Sequence, residues 1–169
     1  MPITLTLSIA AFTACPRQVA QGLKKMISHM ALLLIGLLAG CGAGSTLKDF
    51  ASDGCSLFPD GNGSDPKLWC ECCYQHDLAY WRGGTTEDRL HADEALRTCV
   101  TAKTGDAMLA QTMFMGVRGG GMPVFPTGYR WGYGWSYGRG YTSLDADEQA
   151  QVNDRLARMQ ELPRKFSCE

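Results

Sequence analysis

The stretch Cys70–Gly84, CECCYQHDLAYWRGG, limits the possible folds of this chain more than any other segment. Three cysteines, one histidine and one aspartate fall within eight residues, and a double glycine closes the run. On a helix Cys72, His76 and Tyr80 recur at every fourth position and share one face. Asp77 lies about 100° further round and must address something else. An imidazole is a base near neutral pH, and a carboxylate beside it can hold a hard cation.

The compartment decides what these cysteines do. Lys24 and Lys25 precede an apolar run from Met30 to Leu38 that ends in Leu38-Ala39-Gly40-Cys41. A basic start, a short apolar core and small residues at the end describe an export signal, too short to span a membrane. LAGC also resembles the lipobox of bacterial lipoproteins, which implies a leader and signal peptide over 1–41 and lipidation at Cys41, with acyl chains anchoring the protein. An ordinary signal peptide with an incidental cysteine is the competing reading. Gly42 is not the aspartate associated with inner-membrane retention, so in a Gram-negative cell the expected location is the periplasmic face of the outer membrane.

A tether over 42–52 and a single domain over 53–169 are expected to follow. The 128 residues after Cys41 carry 13 Lys and Arg against 17 Asp and Glu, a net of −4. No basic patch stands out, so no nucleic-acid partner is expected. Cys55, Cys70, Cys72, Cys73, Cys99 and Cys168 remain, and six cysteines in an exported domain predict three disulfides with 15 possible connectivities.

The loop Asp53–Pro66 is dense in Gly, Asp, Asn and Pro. Asp65 and Pro66 are placed to start a helix from about Lys67 to Arg82, stopped by Gly83-Gly84. Thr85, with Glu87 and Asp88 behind it, predicts a second helix to about Lys103, antiparallel to the first because the connection is short. Asp106–Val117 predicts a third, apolar helix whose methionines fill the core. From Tyr129 to Tyr141 aromatics alternate with glycines, which predicts an extended ribbon or loop with one aromatic face. That face either closes the core or, through Trp131, Tyr133, Trp135 and Tyr137, meets a membrane interface. Leu144–Glu161 predicts a C-terminal amphipathic helix, stopped by Pro163.

In the register that would join Cys72 to Cys99, Asp93 falls between the levels of His76 and Tyr80 on the neighbouring helix. A carboxylate there can orient the imidazole through one ring nitrogen, leaving the other to take a proton from water. Asp77 and backbone carbonyls of the 53–66 loop would suit calcium, which polarises a carbonyl; ester hydrolysis is the reaction class.

CCYQHDLAY resembles the C-C-x-x-H-D-x-x-Y signature of secreted phospholipases A2, Asp93 to Cys99 resembles that family's spacing on its second long helix, and GCSLFPDG resembles a divergent form of its calcium loop. The resemblance spans Asp53 to Val100, about 50 of the 128 residues. It implies a mainly α fold built on a disulfide-linked antiparallel helix pair. His76 would be the base, Asp93 its partner and Tyr80 the supporting hydroxyl. Calcium would sit on Asp77 and carbonyls near Gly54, Ser56 and Phe58. The implied pairs are Cys55–Cys73 and Cys72–Cys99, which leaves Cys70 with Cys168. The substrate would be a phospholipid bilayer, cleaved at the sn-2 acyl ester. Leu57, Phe58 and Pro59 in the loop and Ala79 in place of a common cysteine depart from the family pattern, and the aromatic segment has no counterpart.

Competing readings stand beside these. Cys70, Cys72, Cys73 and His76 can be read as a zinc cluster, which an oxidising compartment disfavours. Arg118, Arg130 and Arg139 can hold phosphate groups or lie solvated at the surface. The second functional class is a catalytically silent, phospholipase-like envelope lipoprotein that binds lipid or a protein partner.

Overall fold

The computed structural model describes residues 45–161 and 168, so the expected leader, the lipidation at Cys41, the first residues of the tether and Pro163 lie outside the described residues. Four helices are described: α1 (Cys70–Arg82), α2 (Thr86–Thr104), α3 (Ala107–Gly120) and α4 (Ala146–Glu161). No strand occurs among the described residues. The protein is mainly helical and disulfide-linked.

Three cross-links set the relation of α1 to α2. Cys72 is bonded to Cys99, His76 meets Asp93, and Tyr80 meets Arg89. As one residue number rises the other falls, so the helices run antiparallel. The turn between them works as a capping box: Thr85 Oγ1 accepts from Asp88 N–H, and the Asp88 carboxylate accepts from Thr85 N–H. Disulfides also join Cys55 to Cys73 and Cys70 to Cys168. With all three cysteines of the CECC run in disulfides, no thiolate there is left for zinc.

The start of α1 differs from expectation. Asp65 Oδ1 accepts from Lys67 N–H, so Asp65 caps a tight turn over 66–69 rather than the helix itself. Trp69 holds that turn by donating from its indole to Pro59 O and from its backbone to Asp60 O. The α-helix begins only at Cys70.

The core has two layers. In one, Trp69, Cys72, Cys73, Leu96, Val100, Ala110 and Met113 pack where α1, α2 and α3 meet. Of the α3 methionines only Met113 is core filler; Met108 and Met115 are exposed. In the other layer Leu47, Trp81, Trp135 and Val152 pack together, with Phe50 and Leu156 against them. Leu47 belongs to the expected tether. Its N–H donates to the Gln151 side chain, Ser45 Oγ donates to Glu148, and Lys48 N–H donates to Gly134 O. The domain therefore begins no later than Ser45, because a fully buried leucine ties this segment to α4.

The glycine- and aromatic-rich segment is not a ribbon. Gly132, Gly138 and Gly140 have φ of 71°, 91° and 71°, which breaks the extended backbone that alternation requires. The chain instead folds in turns against the end of α1, whose last carbonyls have no partner within the helix. Gly132 N–H donates to Tyr80 O and Gly134 N–H to Trp81 O, while the indoles of Trp135 and Trp131 donate to Arg82 O and Gly84 O. A side chain at 134 would not fit, since its Cβ would lie 2.5 Å from Trp81 Cδ1.

Candidate functional site

His76, Asp77 and Tyr80 all lie on α1 and are buried, although His76 and Asp77 face different partners. His76 Nε2 is 2.8 Å from Asp93 Oδ1, and Tyr80 OH donates to the same oxygen at 2.7 Å. The other carboxylate oxygen accepts from Arg118 Nη1 at 2.6 Å. Arg89, one helical turn before Asp93, donates from Nε to Tyr80 OH and lies 3.8 Å from Asp93 Oδ2. Its remaining nitrogens donate to Tyr141 OH and to the carbonyls of Val117 and Arg118. Asp93 is thus fully buried and fully bonded.

Burial alone would raise the pKa of Asp93, but hydrogen bonds from His76, Arg118 and Tyr80 outweigh it and hold the carboxyl below its ordinary range. Burial, with Asp93 adding to it, pushes the Tyr80 phenol well up, so it stays protonated and donates. With Asp93 ionised, Nε2 of His76 carries the ring proton and donates it, which leaves Nδ1 as the basic nitrogen.

Asp77 sits against the loop that Cys55–Cys73 pins to the helix. Ser52 Oγ donates to Asp77 Oδ2 at 2.6 Å and accepts from Gly54 N–H. Asp60 Oδ1 accepts from Cys55 N–H. Gly54 has φ 81°, and a Cβ there would collide with the Asp60 carboxylate, so only glycine suits this corner. Leu57, at the loop tip, takes φ 60° and is 88% exposed. The pKa of Asp77 is raised to about 7, chiefly by burial, against the opposing Ser52 hydrogen bond and with Asp53 and Asp60 adding to it. No Lys or Arg pairs with Asp77 among the described residues. A buried carboxylate beside two others, with no side-chain cation to balance it, fits a hard cation held by one carboxylate and backbone oxygens. No cluster of three or more His, Cys, Asp or Glu side chains of the kind that cages a metal occurs among the described residues.

The structure brings most of the expected residues to one place. A cavity of about 360 Å3 is lined by His76, Asp77, Gly54, Ser56 and Phe58, with Tyr80 in its wall. Leu96, Met113 and Val117 give it an apolar side. Asp93 stands behind His76 rather than on the cavity.

Two of the four residues considered for membrane contact lie elsewhere. Trp131 and Trp135 are 1% and 0% exposed: the Trp135 indole caps α1 at Arg82 O and packs in the core, and the Trp131 indole donates to Gly84 O and packs edge-on against Tyr80. Tyr133 is half-buried and donates to Ala51 O; Tyr137 is exposed. The exposed apolar residues at the cavity mouth are Leu57 and Phe58.

The three arginines read as solvated surface also have structural partners. Arg118 bonds Asp93, Arg139 pairs with Glu148 at 2.6 Å, and Arg130 is buried. Sequence reading missed Ser52, Arg89 and Arg118 as parts of the site. The i, i+4 spacing of Arg89 and Asp93 was a usable signal for one of them; Ser52 and Arg118 arrive through tertiary packing and leave no such trace. Compared with known proteins, the chain significantly matches no family model, no curated protein and no solved structure.

Proposed function

We propose that this protein is a calcium-dependent phospholipase A2 that hydrolyses the sn-2 acyl ester of glycerophospholipids. One observation carries the reading: a histidine held by a buried, ionised aspartate opens on the same cavity as a second buried aspartate, unpaired with any Lys or Arg among the described residues, and a glycine-cornered loop. Nδ1 of His76 takes a proton from water as that water attacks the ester carbonyl, and later returns it to the departing glycerol oxygen. Asp93 keeps the ring in the required tautomer and stabilises its charged form, while Tyr80 and Arg118 fix Asp93. Calcium on Asp77 and carbonyls near Gly54, Ser56 and Phe58 would supply positive charge to the carbonyl oxygen. The apolar side of the cavity would take the acyl chain and keep bulk water off the base.

The same chemistry supports the membrane as substrate source, with Leu57 and Phe58 at the lip of the cavity. The catalytically silent alternative draws on the unusual backbone of Leu57 in the loop. Fatty-acid release from mixed phospholipid vesicles by the full chain, with calcium or with chelator, separates the two. Release that needs both calcium and His76 is expected. No release by oxidised, folded protein in excess calcium would leave the binding role.

A further inference from the structure

A second cavity, of about 660 Å3, adjoins the first and shares Ser56 and Tyr129 with it. Its far side comes from the aromatic segment, which the proposed chemistry does not use. Its wall holds one buried hydroxyl without a hydrogen bond and one buried charge without a counter-ion among the described residues. Thr127 Oγ1 is buried without a hydrogen bond. Arg130 is 7% exposed, and its described contacts are a hydrogen bond from Nη2 to Trp135 O at 2.8 Å and the Tyr137 ring at 5.6 Å. The other buried arginine, Arg89, has Asp93 at 3.8 Å, whereas Arg130 has no carboxylate partner among the described residues. A buried guanidinium without an anion is costly unless a ligand provides one, and its planar fork matches a phosphate.

The wall is not simply basic. Lys48 and Arg130 are matched there by Asp49 and Asp53, and Tyr133 adds an aromatic ring. Asp49 already pairs with Arg155, and Asp53 accepts from Ser56 Oγ. Balanced charge with tyrosine rings suits a zwitterion better than a dianion, since ammonium groups favour carboxylates and aromatic faces.

We propose that this cavity is a headgroup subsite for a phosphodiester that carries a cationic end. Arg130 and Thr127 hold the phosphate, with Lys48 at the rim, and Asp53 and the tyrosines take the ammonium. This rests on the esterase reading for its place in catalysis: a lipid with its acyl ester at His76 reaches the second cavity past Ser56 and Tyr129.

The test is a 31P NMR titration of the full chain in calcium-free buffer with three probes that have no ester to cleave. They are glycerophosphocholine, glycerophosphoglycerol and inorganic phosphate. Glycerophosphocholine is expected to bind most tightly, at least tenfold more weakly to Arg130→Gln and severalfold more weakly to Thr127→Val. Thr127→Val removes an unbonded hydroxyl and preserves shape, so it tests the site even where Arg130→Gln disturbs the fold. Absence of binding to the wild type, or equal binding to a folded Arg130→Gln, overturns the subsite. Inorganic phosphate binding as tightly as glycerophosphocholine overturns the headgroup assignment in favour of a free-anion site. Probe binding without vesicle hydrolysis would sink the esterase reading alone; hydrolysis without probe binding would sink the subsite alone.

Discussion

The two layers of this protein are held by different means. Between α1 and α2 the contacts are side chain to side chain and repeat at helical intervals: a disulfide at Cys72–Cys99, a hydrogen bond at His76–Asp93 and another at Tyr80–Arg89. Around Leu47, Trp81 and Trp135 the ties are largely backbone groups and indoles, brought close by glycines. The first layer depends on the functional groups of its side chains. The second depends on close packing, as at Gly134 against Trp81. The residues of the proposed chemistry lie in the first, and the second closes the end of the helix that carries His76 and Asp77.

The largest expected effect lies in the first layer. His76→Gln should lower vesicle hydrolysis on the order of a thousandfold, since it removes the proposed base, while helical circular dichroism stays unchanged. Retained activity would mean that the chemistry lies elsewhere. Replacing Cys72 and Cys99 together by alanine should lower unfolding free energy by about 3 kcal/mol, read by urea denaturation of the oxidised protein. If stability stayed within error, the helix pair would not depend on its covalent link.

Gly134→Ala addresses the second layer. Its methyl must displace Trp81 or Leu47, at a cost of roughly 1–3 kcal/mol. A thermal unfolding temperature equal to that of the wild type would show that this layer is looser than its packing suggests. The smallest effect separates the layers by acid. Asp93 in the first and Glu148 in the second both have carboxyls held below their ordinary values of 3.8 and 4.5; for Glu148 the Arg139 hydrogen bond is the main cause. A depressed folded pKa contributes stability above the unfolded value, and that contribution fades as pH falls through the folded one. Glu148→Gln should flatten the loss of stability as pH falls below about 4.5, and Asp93→Asn the loss as pH falls below about 3.8. A wild-type acid limb in both variants would refute the assignment.

The layers also differ in how well the sequence disclosed them. Cys72, His76 and Tyr80 stand four residues apart, so their common face follows from helix geometry alone, and Thr85 with Asp88 marked the start of α2. The aromatic segment misled because alternation of Tyr and Trp with glycine has the period of a strand. What decided its shape was the left-handed backbone at Gly132 and the unfilled carbonyls at the end of α1, and neither is visible in a residue pattern. The burial of Leu47 was hidden for a similar reason: its pocket is assembled from Trp81, Trp135 and Val152, remote in the chain. Ser52 and Arg118 reach Asp77 and Asp93 across 25 residues each, beyond any local spacing rule.

The indoles gathered at the end of α1 have an optical consequence. The chain has four tryptophans; Trp81, Trp131 and Trp135 gather at the end of α1, and Trp69 packs beside the disulfide-bonded Cys72 and Cys73. Disulfides quench indole emission at contact, so the native fluorescence should come mainly from the other three. The protein therefore carries its own reporter for one layer and is nearly dark in the other. A red shift without loss of helical ellipticity would mark the glycine segment lifting off α1, and brightening on reduction would mark Trp69 released from its quencher.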